Sequence, residues 1–428
     1  MLVGKNVRQV AIVGGTRIPF ARAMGAYAEC SNQDMLTAAL RALVQKYSLD
    51  GERLGEVAAG AVLKHPRDFN LVRECVLASG LSPETPGLDL QRACGTGLEA
   101  AVIVGMKIAL GQVDAGVAGG VDTASDAPIG VSERLRKLML RSARGRSMGQ
   151  RITPWLGFRP GHLKPNLPAV VEPSTGLSMG QSCELMAREW HISREAQDQL
   201  AFESHQKAAA AYGEGFYRDL VTPFQGLEKD DVLRRDTSLE RLAKLKPAFP
   251  MEGSGTLTAG NSTPMTDGAS AVLLASEDWA RSRGLPVLAR LTYAKVAAVD
   301  FASGRDGLLM APAYAVPRML ADAGLGLQDF DFYEIHEAFA AQVLCTLAAW
   351  ESESFCRERL GLSAALGSID RTKLNVKGSS LALGHPFAAT GGRILATLAK
   401  LLDELGGGRG LISICTAGGM GVTAIVEK

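Results

Sequence analysis

Apolar runs of strand length alternate with stretches of helical period twice along this chain, and that alternation confines it to α/β architectures. In the first part, strands are expected at 9–13, 57–63 and 115–121, and helices near 34–47, 68–79 and 96–110. The last part repeats the theme. It has a strand at 288–296, a helix at 311–323, a strand at 330–335, helices at 337–350 and 390–405, and closing strands at 410–415 and 421–427. Two similar α/β halves follow. From Pro128 to about Lys246 the pattern lapses into Arg-, Pro- and Gly-rich sequence with helix-forming stretches such as 194–202, which reads as an insertion of loops and helices.

Inside the insertion, Arg134, Arg136, Lys137, Arg141, Arg144, Arg146, Arg151, Arg159 and Lys164 are interleaved with Leu138, Met139, Leu140, Trp155 and Phe158. A solvated face is the bland reading of this tract; contact with an anionic ligand or a membrane surface is the sharper one. The chain as a whole carries a formal charge of only +1, which supplies no overall drive toward nucleic acid. Its seven cysteines are scattered without a C-x-x-C pair, so neither a disulfide framework nor a cysteine zinc site is expected. The first residues lack the apolar core of a signal peptide, and the apolar region 100–121 is broken by Lys107, Gln112 and Asp114, which argues against a membrane span. A soluble, cytoplasmic, reduced protein is expected.

Four clusters carry chemistry. In Arg92-Ala93-Cys94-Gly95-Thr96-Gly97, a lone thiol sits on a small-residue turn opening an apolar helix, where unpaired N–H groups favour thiolate. Gly95 and Gly97 are expected to keep side chains out of a substrate's way. Taken alone, Cys94 also fits a small buried hydrophobe. His336 follows the strand at 330–335, a common place for site residues in open sheets, and opens His336-Glu337-Ala338-Phe339. A zinc H-E-x-x-H reading fails there because position 340 is alanine, so no metal is expected. His385 is clamped in Gly384-His385-Pro386, a placement that suits a base facing substrate, although the stretch is also a plain turn. Cys415-Thr416-Ala417-Gly418-Gly419 ends a strand in a thiol and then turns through glycines whose N–H groups can meet a ligand oxygen.

In this order and spacing the four clusters resemble the active-site motifs of the thiolase family. Thr258–Ala269 is similar to that family's segment after its loop domain, and Ser178-Met179-Gly180 to its coenzyme A-facing loop. The likeness runs from about Val10 to the C-terminus. It implies a five-layer α/β/α/β/α fold of two similar halves with mixed sheets, residues 1–285 holding an inserted loop domain at about 128–250, and residues 286–428 forming the second half. The insertion would lie over the site like a lid.

The resemblance also implies an activity. Family members cleave a 3-ketoacyl-CoA with coenzyme A to acetyl-CoA and a shortened acyl-CoA, or run the reverse Claisen condensation. Cys94 would carry the acyl group, His385 would take its proton, and Cys415 would move the proton at C2. One oxyanion pocket would use His385 with a water held at His336, and the other the backbone N–H groups of Cys94 and Ala417. Many relatives have asparagine at 336; histidine there resembles the subgroup containing the β-subunits of fatty-acid oxidation complexes. Met179, Phe249, Ala259, Thr263 and Phe339 match positions lining the pantetheine tunnel, with the adenosine phosphates near basic residues of the insertion. No permanently bound cofactor is implied, coenzyme A being a substrate. The implied partners are acyl-CoA, a second copy in a homodimer or homotetramer, and a β-oxidation hydratase/dehydrogenase subunit. A ketoacyl synthase-like condensing enzyme and a non-catalytic acyl-CoA or lipid carrier are the rival readings of the same fold.

Overall fold

The computed structural model describes residues 2–4, 6–168, 171–249, 251 and 255–428. Its strands, in chain order, are β1 (Val10–Arg17), β2 (Ala21–Arg22), β3 (Glu56–Ala59), β4 (Gly87–Asp89), β5 (Ala115–Asp122), β6 (Thr266–Ser276), β7 (Ala289–Ala298), β8 (Phe332–Ile335), β9 (Arg409–Thr416) and β10 (Met420–Glu427). They run side by side as β4-β3-β5-β6-β1 and then β7-β10-β9-β8, with β2 on β6. Only Ala11↔Arg290 and Ile12↔Ala289 join β1 to β7, so two half-sheets meet along a short edge. β3 is parallel to β4 and β5, and β8 to β9, whereas the remaining pairings are antiparallel.

Each half-sheet is covered on both faces. Met35, Leu36, Leu40 and Leu43 of the Asn32–Lys46 helix pack on Val13, Val57, Val117 and Leu273 at one outer face. The Thr96–Ala109 and Thr390–Leu405 helices lie between the half-sheets, where Leu98, Val104, Ile394 and Leu398 share one core with Ile12 and Leu274 on one side and Ile412 and Val426 on the other. The Ala311–Ala323 and Ala340–Glu351 helices close the opposite outer face through Val316, Leu320, Val343 and Leu347. The result is helix, sheet, helix, sheet, helix.

Strand β6 is the main element outside the sequence expectations. All eleven of its residues are buried. Helices cover both its faces, so Thr-Asp-Gly-Ala-Ser-Ala-Val-Leu-Leu-Ala-Ser has no polar face to alternate, and its opening resembles a turn. The strand expected at 57–63 stops at Ala59, because Val62 and Leu63 turn their N–H groups onto the Asp122 carboxylate at 2.9 and 2.8 Å. The helix expected at 337–350 begins only at Ala340.

The long connection from β5 to β6 contains helices and no strand among the described residues. It is not uniformly a lid. Its Met179–Glu189 and Arg194–Glu214 helices are built into the body through Cys183, Met186, Leu200 and Ala208. Arg17 of β1 grips Asp230 through two contacts of 2.6 and 2.7 Å, and Phe20 N–H and the Tyr212 hydroxyl donate to the same carboxylate. In contrast, no side chain of residues 129–168 is buried. No described helix is long and apolar enough to cross a membrane.

Candidate active site

The two central helices touch at their N-termini because glycine lets their backbones meet. A Cβ on Gly97 would lie 2.7 Å from the Ala388 carbonyl oxygen and 2.9 Å from Gly392 N, and one on Gly391 would lie 2.1 Å from Leu98 N. Gly97 therefore makes room for the opposite helix, not for substrate as its position in the motif had suggested. Gly95 likewise accommodates Val422 and Thr416, whose side chains lie 2.9 and 3.1 Å from where its Cβ would be. The contact brings the turn before one helix and the loop before the other to a single buried point.

Cys94 stands on the first of these turns. Ala93 is held at φ 43°, a left-handed conformation that costs a non-glycine residue on the order of 1 kcal/mol. Thr96 locks that bend, its Oγ1 accepting from Arg92 N at 2.9 Å and donating to the Ala93 carbonyl at 2.7 Å. The Cys94 thiol is pushed up to about 12, chiefly by burial, while the N–H groups of Ala417 and of Cys94 itself pull the other way. A helix N-terminus is worth at most about 2 kcal/mol. The upward shift from the usual thiol value corresponds to about 4 kcal/mol, so burial wins. At rest Cys94 is a thiol, not the thiolate that its helix position alone suggests.

His385 belongs to the second loop. Its N–H donates to Thr266 Oγ1 at 2.9 Å, its Nδ1 lies 2.6 Å from Thr390 Oγ1, and the following Ala388 N donates to Asp122 at 2.8 Å. Burial pushes Asp122 up to about 7 despite the three N–H groups it receives. His336 follows β8, and its ring sits 4.1 Å from that of His385. Burial, aided by the nearby Arg393 charge, holds His385 down to about 3 and His336 well below its ordinary value. Both imidazoles are neutral.

Hydrogen-bond chemistry assigns the tautomer of His336. Arg393 Nη2 lies 2.9 Å from Ser380 Oγ, and arginine can only donate. Ser380 Oγ lies 2.8 Å from His336 Nδ1, and no other acceptor for its proton is found among the described residues. The hydroxyl proton therefore goes to Nδ1, and the His336 hydrogen sits on Nε2, a buried atom with no partner among the described residues. Cys94, His336 and His385 offer ligand atoms within 4.8 Å of one another, a Cys-His₂ set by type. An Nε2 carrying hydrogen is a donor, however, and the set suits proton and oxyanion work better than a metal.

Cys415 ends β9 beside this group, close enough that a charge on Cys94 would raise its thiol further above an already elevated value set by burial. The hairpin to β10 turns through Gly418 and Gly419 at φ 76° and 69°. It carries the Ala417 N–H to the Cys94 thiol. The insertion reaches the same turn, where Glu172 accepts from Gly418 N at 2.8 Å.

Of the residues matched to coenzyme A contacts, Phe249, Ala259 and Thr263 line one cavity of about 220 Å³, together with Arg22, His205 and Arg234. Phe339 adjoins it, its ring 5.7 Å from that of Phe249, and Met179 packs in the same apolar cluster. Thr263 pins the site loop by donating to the Ala338 carbonyl through N and Oγ1, both at 3.1 Å.

Four polar residues of the site went unassigned in the motifs. Ser380 and Thr390 orient the two rings, and Asn375 holds Ile335 through both backbone groups while donating to Glu337 at 2.7 Å. Arg393 is the fourth, 2% exposed within a helix whose neighbouring residues are all apolar or small. Glu334 lies in the same interior, raised to about 8 by burial against the pull of Arg393.

Comparisons with known proteins agree over the whole length. Residues 10–278 match the family model described as thiolase, N-terminal domain, and residues 285–428 that described as thiolase, C-terminal domain. A 3-ketoacyl-CoA thiolase of Pectobacterium carotovorum subsp. carotovorum is 41% identical, the alignment covering 100% of this chain and 98% of the relative. A 3-ketoacyl-CoA thiolase of Yersinia pestis is 40% identical with the same coverage. Among solved structures, the Bacillus anthracis acetyl-CoA acetyltransferase aligns with a TM-score of 0.82 at 29% identity, over 99% of this chain and 100% of that one. Human mitochondrial 3-ketoacyl-CoA thiolase in complex with CoA aligns with a TM-score of 0.80 at 30% identity, over 98% of each chain.

Proposed function

Because the chain belongs to the thiolase family, we propose that it cleaves a 3-ketoacyl-CoA with coenzyme A, and makes the same bond in the reverse Claisen direction, through an acyl group carried on Cys94. The observation that carries this reading is the convergence of Cys94 Sγ with nitrogens of His336 and His385 within 4.8 Å, with Cys415 alongside.

The chemistry follows from the state of each group. A thiol near 12 beside an imidazole near 3 is not an ion pair, so His385 Nε2 takes the Cys94 proton as Sγ closes on the C3 carbonyl. The C3 oxygen becomes an oxyanion within reach of the N–H groups of Cys94 and Ala417. When the C2–C3 bond breaks, the electron pair passes to the acetyl-CoA enolate, whose C1 oxygen is met by protonated His385 and by the Nε2–H of His336. Cys415, a protonated thiol, then gives its proton to C2, and acetyl-CoA leaves. Coenzyme A loses its thiol proton to Cys415 and attacks the acyl group on Cys94. The departing Cys94 Sγ recovers the proton held by His385, and every group returns to its starting state.

In this reading the pantetheine arm lies along the cavity of Phe249, Ala259 and Thr263, where an apolar channel with few polar contacts fits it. The exposed Arg22 and Arg234 on the same cavity are the cations we assign to the adenosine phosphates. The acyl-enzyme is tested by incubating the protein with acetyl-CoA and digesting it. An acetylated peptide containing Cys94, absent from Cys94→Ser, is expected; label on Cys415 would reverse the assignment of the two thiols.

A further inference from the structure

The N–H of Ala417, which meets the Cys94 thiol, stands on a turn with little stiffness of its own. Gly418, the next residue, sits at φ 76° and is exposed, and a glycine there moves to other conformations at small cost. The peptide that joins Ala417 to Gly418 is nevertheless gripped at both ends. Its carbonyl accepts from Thr416 Oγ1 at 2.9 Å, and its N–H donates to Glu172 Oε1 at 2.8 Å. Ala417 is thus fixed from behind by β9 and from ahead by this peptide, and Glu172 is the part of the grip that comes from outside the hairpin.

Glu172 is itself aimed. It lies in a small hairpin of the insertion, closed by the Val171↔Ser178 bridge and by Glu172 N donating to Leu177 O at 2.9 Å. Its own carbonyl accepts from Thr175 N and Gly176 N at 3.2 and 2.8 Å. Ser178 then caps the Met179–Glu189 helix by accepting from Gln181 N at 3.2 Å, and Cys183 and Met186 bury that helix in the body. A half-buried carboxylate is therefore carried to the oxyanion turn on a backbone anchored in the core. The bond it makes there is open to solvent, and water competes for both partners, so it adds little to overall stability. Nor does its charge help the nucleophile, since burial already pushes the Cys94 thiol up and the Glu172 charge pushes it the same way. What the contact supplies is the orientation of one peptide.

On the thiolase reading of the chain, on which this assignment rests, we propose that Glu172 is a positioning residue: by holding Gly418 N–H it keeps the Ala417 N–H aimed at the oxygen of the group carried on Cys94. Charge develops on that oxygen each time an acyl group enters or leaves Cys94. The proton step at C2 belongs instead to Cys415. Loss of the grip should therefore slow every acyl transfer at Cys94, including those that break no carbon–carbon bond.

The test compares Glu172→Ala with Glu172→Gln, which removes the charge but keeps an acceptor. Deleting an oxyanion donor outright costs about 10²–10³-fold in kcat. Here the donor stays and loses only its alignment, so a roughly tenfold fall in kcat is expected of Glu172→Ala, with KM little changed. The fall should be equal for exchange of label between acetyl-CoA and coenzyme A and for acetoacetyl-CoA thiolysis, and Glu172→Gln should recover most of it. Deuterium uptake by peptides spanning residues 416–420 should quicken in Glu172→Ala and return toward the parent rate in Glu172→Gln. That measurement needs no substrate, so it judges the grip separately from the thiolase reading. Thermal melts matching the parent confirm that both variants are folded. Parent-like kcat or parent-like deuterium uptake in Glu172→Ala overturns the proposal. So does thiolysis that falls while label exchange keeps its parent rate, or a Glu172→Gln protein as slow as Glu172→Ala, which would assign the effect to charge and not to the hydrogen bond.

Discussion

Two glycine-to-alanine substitutions in helices should have opposite effects, and the contrast tests what holds the site together. Gly213 lies in the Arg194–Glu214 helix with nothing within 4 Å of a Cβ placed there. Gly213→Ala should therefore express the helix propensity of alanine alone and stabilise the protein by up to about 1 kcal/mol. In Gly97→Ala the new methyl meets the Ala388 oxygen at 2.7 Å and Gly392 N at 2.9 Å. Both obstacles are backbone, which cannot swing aside as a flexible side chain would, so the two helix ends must separate by about 0.5–0.7 Å to reach ordinary contact. Overpacking of this kind costs about 1–3 kcal/mol, and two rigid contacts put Gly97→Ala at the upper end. Set against a propensity gain of at most about 1 kcal/mol, the net loss is about 2 kcal/mol.

A shift of that size also separates Cys94 from His385. A misplacement of about 1 Å costs on the order of 10²-fold in rate, so kcat should fall about tenfold in Gly97→Ala. Denaturant unfolding measures the first quantity, and steady-state thiolysis of acetoacetyl-CoA on the folded variant the second. A Gly97→Ala protein as stable and as fast as the parent would refute the helix contact as the device that sets the site. Equal destabilisation by Gly213→Ala would show that the loss has nothing to do with crowding.

Cys415→Ala should leave exchange of label between acetyl-CoA and free coenzyme A measurable while acetoacetyl-CoA cleavage falls by roughly 10²-fold or more, as expected when a general acid is lost; equal losses of the two reactions would remove Cys415 from the carbon-acid step. Ser380→Ala deprives His336 Nδ1 of its donor, so ¹⁵N shifts of the labelled His336 ring should move from one fixed tautomer to a mixture as kcat falls with little change in KM. Parent-like shifts in that variant would contradict the tautomer assignment. Burial and the Arg393 charge hold His385 down to about 3. Protonating His385 removes the base, so activity should persist well below pH 6.5 and fall only as the folded-state value is approached. An acid limb near the ordinary 6.5 of a free imidazole, traced to His385 by ring NMR, would refute that.

Much of the site was legible because its chemistry is written in unusual local sequence. A cysteine among glycines, a histidine between glycine and proline, and a cysteine before Ala417-Gly418-Gly419 each stand out from ordinary packing patterns. Less visible were the residues that orient them. Ser380 and Thr390 look like any hydroxyls near a helix start; the ring that Ser380 meets, His336, lies 44 residues away in the chain, and the one that Thr390 meets, His385, is on the same loop but reads in sequence as part of a plain turn. Arg393 did leave a trace, being the one charge in the first ten residues of a helix otherwise made of Thr, Gly, Ile, Leu and Ala. A helix buried all round has no polar face on which to place a charge, so such a residue must have a role in the interior. Strand β6 escaped for the related reason that a strand buried on both faces shows no alternation.

What no local reading could supply is the meeting of the two halves. Cys94 and His385 lie on loops from opposite halves, and each loop looks complete by itself. They converge because Gly97 and Gly391 face each other across a contact too tight for a methyl group, which fixes the two helix ends and with them the loops they begin. In sequence, Gly97 reads as room left for a substrate. The missing atoms instead set the distance between Cys94 and His385, since moving either helix changes that distance directly, whereas enlarging the substrate pocket would not. Substitutions at Gly97 should therefore lower kcat for short and long acyl groups alike, and a variant that rejected only the long ones would return the glycine to the substrate's side of the wall.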